Sequence, residues 1–178
     1  MKRIVIAALL SAVPFAASAQ TPYGGMETRH IKTLSAGQID DLRAGRGMGL
    51  ALAAELNGYP GPKHVLELAD SLSLSAAQRA SAETLFAQMK AETIPLGEKL
   101  IAQEAALNRL FAERTVKPAS LATVTQAIGG TQAALRAAHL KYHLSMLAVL
   151  THDQVERYAQ LRGYRGGGEP QHQHHQAN

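Results

Sequence analysis

The chain has no cysteine and no tryptophan, and aromatic residues make up only 4% of its 178 positions. Without cysteine there is no disulfide framework, no thiolate nucleophile, no thiolate metal site and no cysteine to lipidate at a processed N-terminus. With few aromatics, Ala and Leu carry the 46% hydrophobic content, which suits helix packed on helix. Neither HExxH nor GxSxG occurs, and neighbours such as Glu98 with Lys99 read as solvated helix faces, so an enzyme is not expected. Charge is nearly balanced at +4, and without Lys2 and Arg3 the basic residues fall to 16 against 14 acidic. With no basic run interleaved with aromatics, nucleic acid is not expected as a partner.

Met1 to Ala19 reads as a secretory signal: Lys2 and Arg3 as its charged start, Ile4 to Phe15 as the apolar stretch, Ala17-Ser18-Ala19 as the cleavage site. That apolar run is shorter than the roughly 20 residues of a bilayer span, and no later stretch can span a membrane. The expectation is an exported, periplasmic protein with no transmembrane segment after cleavage. Gln20 to Thr33 (with Pro22, Gly24 and Gly25) has no apolar period and reads as a flexible arm carrying Met26 and His30.

Three short stretches then repeat one pattern: Leu34-Ser35-Ala36-Gly37-Gln38, Leu74-Ser75-Ala76-Ala77-Gln78 and Leu150-Thr151-His152-Asp153-Gln154. Each is a capping box, in which the hydroxyl accepts from the backbone N–H three residues on and the Gln side chain reaches back to the N–H of the cap residue. They predict helix starts at Ser35, Ser75 and Thr151. The first helix is expected to run to about Leu56, across Gly45, Gly47 and Gly49, which weaken it or let it break. Asn57 to Pro62 is a firm stop, and a short helix follows from Lys63 to about Ser71. The second box opens a long helix to about Arg114, with Leu85, Met89, Leu96, Leu100, Leu107 and Phe111 as its packing seam and a kink near Pro95. After a turn at Thr115–Pro118, the next helix runs to about Val149 with Leu121, Val124, Ile128, Leu135, His139, Tyr142 and Met146 on one face. A last helix ends near Gly163. Residues 165–178, with Gly166-Gly167-Gly168 and then His172, His174 and His175, read as a disordered tail.

The fold expected is therefore all-α: a long kinked antiparallel helical hairpin with an N-terminal helix and a short C-terminal helix, occupying residues 34–164. The second and third boxes, flanking such a hairpin in an exported chain, resemble the LTXXQ motifs of the Spy/CpxP family of periplasmic helical proteins. Leu150-Thr151-His152-Asp153-Gln154 matches in full, and Leu74-Ser75-Ala76-Ala77-Gln78 has Ser for Thr. The resemblance covers about Leu74 to Tyr164. It implies a curved homodimer that holds unfolded or misfolded periplasmic proteins without ATP, an envelope-stress chaperone with no cofactor required. A third role, an interaction module that restrains a membrane sensor kinase, belongs to the same setting.

One constellation points elsewhere. His139 and His143 lie one helical turn apart, and Met146 continues their face. Two imidazoles at that spacing can share a metal ion, with a thioether as a soft ligand. A third donor must come from another element, and His64 with Glu67, three apart on the short helix, is the candidate pair. Here the chain is similar to the CnrX and ZraP groups of periplasmic metal sensors. In the CnrX group a His-x-x-x-Met pair on a late helix joins His and Glu residues from earlier helices; in this chain His139 and His143 stand in its place. The alternative function is thus a periplasmic heavy-metal sensor or buffer for Zn, Cu or Ni, using His139, His143, Met146, His64 and Glu67.

Overall fold

A computed structural model describes residues 23–164; the expected signal segment and the Gly- and His-rich segment from Arg165 lie outside the described residues. The described chain is all-α. Its helices are α1 (Ala36–Arg43), α2 (Leu52–Glu55), α3 (Pro62–Glu67), α4 (Ala76–Ala112), α5 (Pro118–Leu147) and α6 (His152–Leu161), preceded by one 3-10 turn at Met26–Thr28. None of these helices is long and apolar enough to cross a membrane.

All three capping boxes form in full. The hydroxyls of Ser35, Ser75 and Thr151 accept from the backbone N–H of Gln38, Gln78 and Gln154, whose side-chain oxygens accept in return at 2.9–3.0 Å. The second and third boxes are also joined to each other. Gln78 Nε2 donates to Gln154 Oε1 at 2.7 Å and Gln154 Nε2 donates to Gln78 Oε1 at 3.1 Å. The same amides donate to the carbonyls of Val149 and Leu72. Two local helix-start signals thereby become one long-range clasp between the starts of α4 and α6.

α4 and α5 form the hairpin and run in opposite directions: Gln78 meets Val149 at the base, and Glu92 meets Tyr142 further along. α4 continues unbroken through Pro95, so the join that a proline can impose is absent here. Gly97 explains how α1 reaches this helix: a Cβ there would lie 2.5 Å from the Leu42 carbonyl oxygen. Two apolar clusters flank the middle of the hairpin. Ile31, Leu42, Leu100, Ile101, Ile128 and Leu135 form one, and Val65, Leu72, Ala82, Met146 and Tyr158 form the other, at the base. Each large side chain in them contributes about 1.5–3 kcal/mol through burial.

Three expectations are revised. The first helix does not reach Leu56. It ends at Arg43, and Gly45 (φ +65°), Met48 (φ +44°) and Gly49 (φ +83°) turn the chain back before α2. A left-handed backbone cannot continue a helix and strains a non-glycine residue such as Met48. The short helix stops at Glu67, not Ser71, and turns lead on to Ser75. The described part of the expected arm is docked: Ile31 is buried in the first cluster, Thr33 Oγ1 donates to Glu104 at 2.8 Å, and Asn108 bonds the backbone of His30 and Lys32. A single apolar residue such as Ile31 leaves no periodic trace in the sequence. On the expected seams, Phe111 and Leu121 are exposed.

Candidate functional site

Between the two clusters lies a cavity of about 420 Å³. Its walls come from four parts of the chain: the 44–49 loop, α2, the start of α3, and facing positions of α4 and α5. The broken first helix is what makes this wall, because the turn at Gly45–Gly49 folds over Phe86, Met89 and Lys90 of α4. The lining is largely apolar, with Met48, Leu52, Pro62, Phe86 and Met89, and among the described residues it contains no Ser or Thr.

Glu55 is its polar centre. Its side chain is only 6% exposed. Oε1 lies 3.4 Å from His64 Nδ1 and 3.7 Å from Arg162 Nε, and accepts hydrogen bonds from Tyr158 and, at 3.1 Å, from Tyr164. Burial alone would push this carboxyl up. The contacts from His64, Tyr158 and Tyr164 and the charge of His64 outweigh it and hold the pKa down at about 2. The same bond, with burial as the larger cause, pushes the Tyr158 hydroxyl up. Glu55 is therefore a carboxylate throughout the physiological range. Its second oxygen, Oε2, is buried with no hydrogen-bond donor.

Two histidines of α5 complete the polar set. His143 Nδ1 donates to the Tyr59 carbonyl at 2.7 Å and lies 3.6 Å from Glu55 Oε2. A carbonyl only accepts, so the proton is on Nδ1 and the ring presents Nε2 as its other nitrogen. Gly61 packs against that edge: a Cβ there would come within 2.9 Å of Nε2. His139 is 2% exposed and its Nε2 is buried without a partner. Burial, and then the nearby His143, lowers its pKa, so the ring is a neutral imidazole.

His64, His139 and His143 all line this one cavity. Glu67 and Met146 do not join them. Glu67 is exposed and paired with Lys63 at 2.5 Å; that pair and the Arg46–Asp41 pair neutralise two cations at the cavity rim. Met146 is fully buried in the base cluster, and the thioethers on the cavity are Met48 and Met89. Sequence reasoning missed Glu55. The available signal was that Glu55 is the only acidic residue between Asp41 and Glu67, set in the apolar run Ala51-Leu52-Ala53-Ala54.

No family model, curated protein or solved structure matches this chain. The site is therefore judged on its own chemistry. Imidazole nitrogen and carboxylate oxygen are both donors that Zn, Ni and Cu(II) accept, and two buried polar atoms without a hydrogen-bond partner among the described residues are a costly arrangement unless a ligand meets them. Against this, among the described residues no three His, Asp or Glu side chains are already set around a common point for a metal ion. The donors are suitable in kind and fewer than a closed site needs.

Proposed function

We propose that this chain is a non-catalytic periplasmic binding protein whose working part is the Glu55 cavity, which takes a divalent transition-metal ion. The observation that carries this reading is the pair of buried atoms without partners, Glu55 Oε2 and His139 Nε2, in a cavity also lined by His143 and His64. Glu55 would supply the negative charge, and His139 and His143 the nitrogen donors. Tyr158, Tyr164 and Arg162 would act through Glu55 by fixing its other oxygen. Calorimetric titration with zinc, nickel and copper tests it. Binding at micromolar or tighter dissociation constants that weakens about tenfold or more in Glu55→Gln and in His139→Gln is expected, the scale on which lost ligands and their supports act. Affinity unchanged in both variants would contradict it.

A second reading is favoured by the exposed apolar side chains Leu52, Leu56, Phe111, Leu121 and Leu144, which leave contact area on the hairpin and beside the cavity. In that reading the protein is an ATP-independent holdase of the Spy/CpxP kind, acting as a homodimer on unfolded clients. Suppressed aggregation of a reduced model client by metal-free protein, unchanged in His139→Gln, would support it.

A further inference from the structure

The Glu55 cavity is too large and too apolar to suit a metal ion by itself. It offers two buried atoms without partners, Glu55 Oε2 and His139 Nε2, where a transition metal takes four or more donors. Two or three waters on such an ion would occupy about 60–90 Å³, at about 30 Å³ each. The cavity measures about 420 Å³, the size of a small-molecule pocket. Much of the remaining wall is Met48, Leu52, Pro62, Phe86 and Met89, which hold water poorly.

Charge is incomplete as well. A divalent ion beside the Glu55 carboxylate and the neutral His139 ring leaves one positive charge in an apolar enclosure, which is costly unless a further anion meets it. Among the described residues no second carboxylate lines the cavity. The cations at the cavity lead to the same conclusion. Arg46 and Lys63 are paired with Asp41 and Glu67. The half-buried Lys90 has no carboxylate within ion-pair distance among the described residues. Its Nζ lies 5.8 Å from the centre of the Phe86 ring, so a cation and an aromatic face stand together on the α4 wall.

We propose that the cavity takes its metal ion as a complex with one small chelating carboxylate that carries a flat apolar body. This rests on the metal-binding reading above. The carboxylate and a second donor of the chelator would fill open coordination positions and supply the missing negative charge. Lys90 would meet the outer oxygen of that carboxylate. The apolar body would lie among Phe86, Met48 and Met89, where ring and thioether contacts favour an aromatic group. Met48 and Leu52 are 41% and 54% exposed, so the way in is open on their side.

The test is equilibrium dialysis of the full chain against nickel alone, picolinate (pyridine-2-carboxylate) alone, and their one-to-one complex, with metal and chelator both measured in the protein compartment. The proposal expects one picolinate retained per nickel from the complex and none from picolinate alone. His139→Gln should release nickel and picolinate together. Lys90→Gln, at a half-exposed position, should weaken retention of the complex about fivefold more than it weakens free nickel. If nickel alone is retained and picolinate stays out, the joint site is overturned and the metal reading stands. If His139→Gln retains the complex as well as the unaltered chain does, the complex sits outside the cavity and the proposal is overturned. If neither free nickel nor the complex is retained, both readings fall.

Discussion

The two ends of the α4–α5 hairpin are built on opposite principles. At the base, polar groups are drawn into long-range bonds: the half-buried Gln78 and Gln154 clasp each other, Tyr158 and Tyr164 hold one oxygen of Glu55, and the apolar cluster around Met146 packs beneath them. Toward the tip, from Phe111 through Leu121, side chains are mostly exposed, and the turn is held by local bonds such as that between Lys117 N–H and Ser120 Oγ. A hairpin of this length cannot cover both arms with its own chain. The short helices α1, α2, α3 and α6 are all spent on the base and middle. Fold stability and the candidate site are thereby concentrated in the base and middle of the hairpin, and its tip is left as surface.

This contrast can be broken most strongly at Met146. Met146→Ala should destabilise the protein by about 2–5 kcal/mol in urea unfolding, because a fully buried side chain is replaced by a cavity. Met146→Leu should cost less than about 1.5 kcal/mol and leave zinc affinity unchanged, which separates a packing methionine from a ligand.

Glu55 comes next. Its folded-state pKa lies below the ordinary 4.5, at about 2. The sign follows: its stabilisation is fully present above pH 4.5 and is lost as pH falls from 4.5 toward 2, about 3 kcal/mol in total. Urea unfolding at pH 7, 4.5 and 2.5 should show this fall, and Glu55→Gln should remove the component that belongs to Glu55.

The clasp should be worth somewhat less. Gln154→Ala removes half of a capping box, the partner of Gln78 and the bond to the Leu72 carbonyl, for an expected loss of about 2 kcal/mol. Gln38→Ala, which breaks a box with no such cross-link, should cost about 1 kcal/mol. At the tip, Phe111→Ala should shift stability by no more than about 0.5 kcal/mol, since the ring is exposed. A large loss there would show that the tip is packed against something in solution.

Much of this architecture could be read along the chain. The capping boxes are local, so Ser35, Ser75 and Thr151 marked their helices without any tertiary knowledge. The long helical period placed His139 and His143 together for the same reason. What escaped was long-range. Glu67 drew attention as a neighbour of His64 on one helix, whereas Glu55 meets Tyr158 from 103 positions away and shares the cavity with His143. The break at Gly45–Gly49 was visible as a run of glycines. That it would fold back as a cavity wall depended on Thr93 and Ile94 of α4, since a Cβ at Gly45 would lie 2.7 Å from Thr93 Oγ1. The Gln78–Gln154 clasp likewise needed two boxes to meet in space.

The central claim is that the buried, unpartnered Glu55 Oε2 and His139 Nε2 await a metal ion. Nuclear magnetic resonance of the imidazole nitrogens, with zinc added to one equivalent, tests it most directly. The account predicts that the ring nitrogens of His139 and His143 shift and reach their end point at one zinc per chain. Resonances of His139 and His143 that stay in place while only those of His172, His174 and His175 move would contradict it.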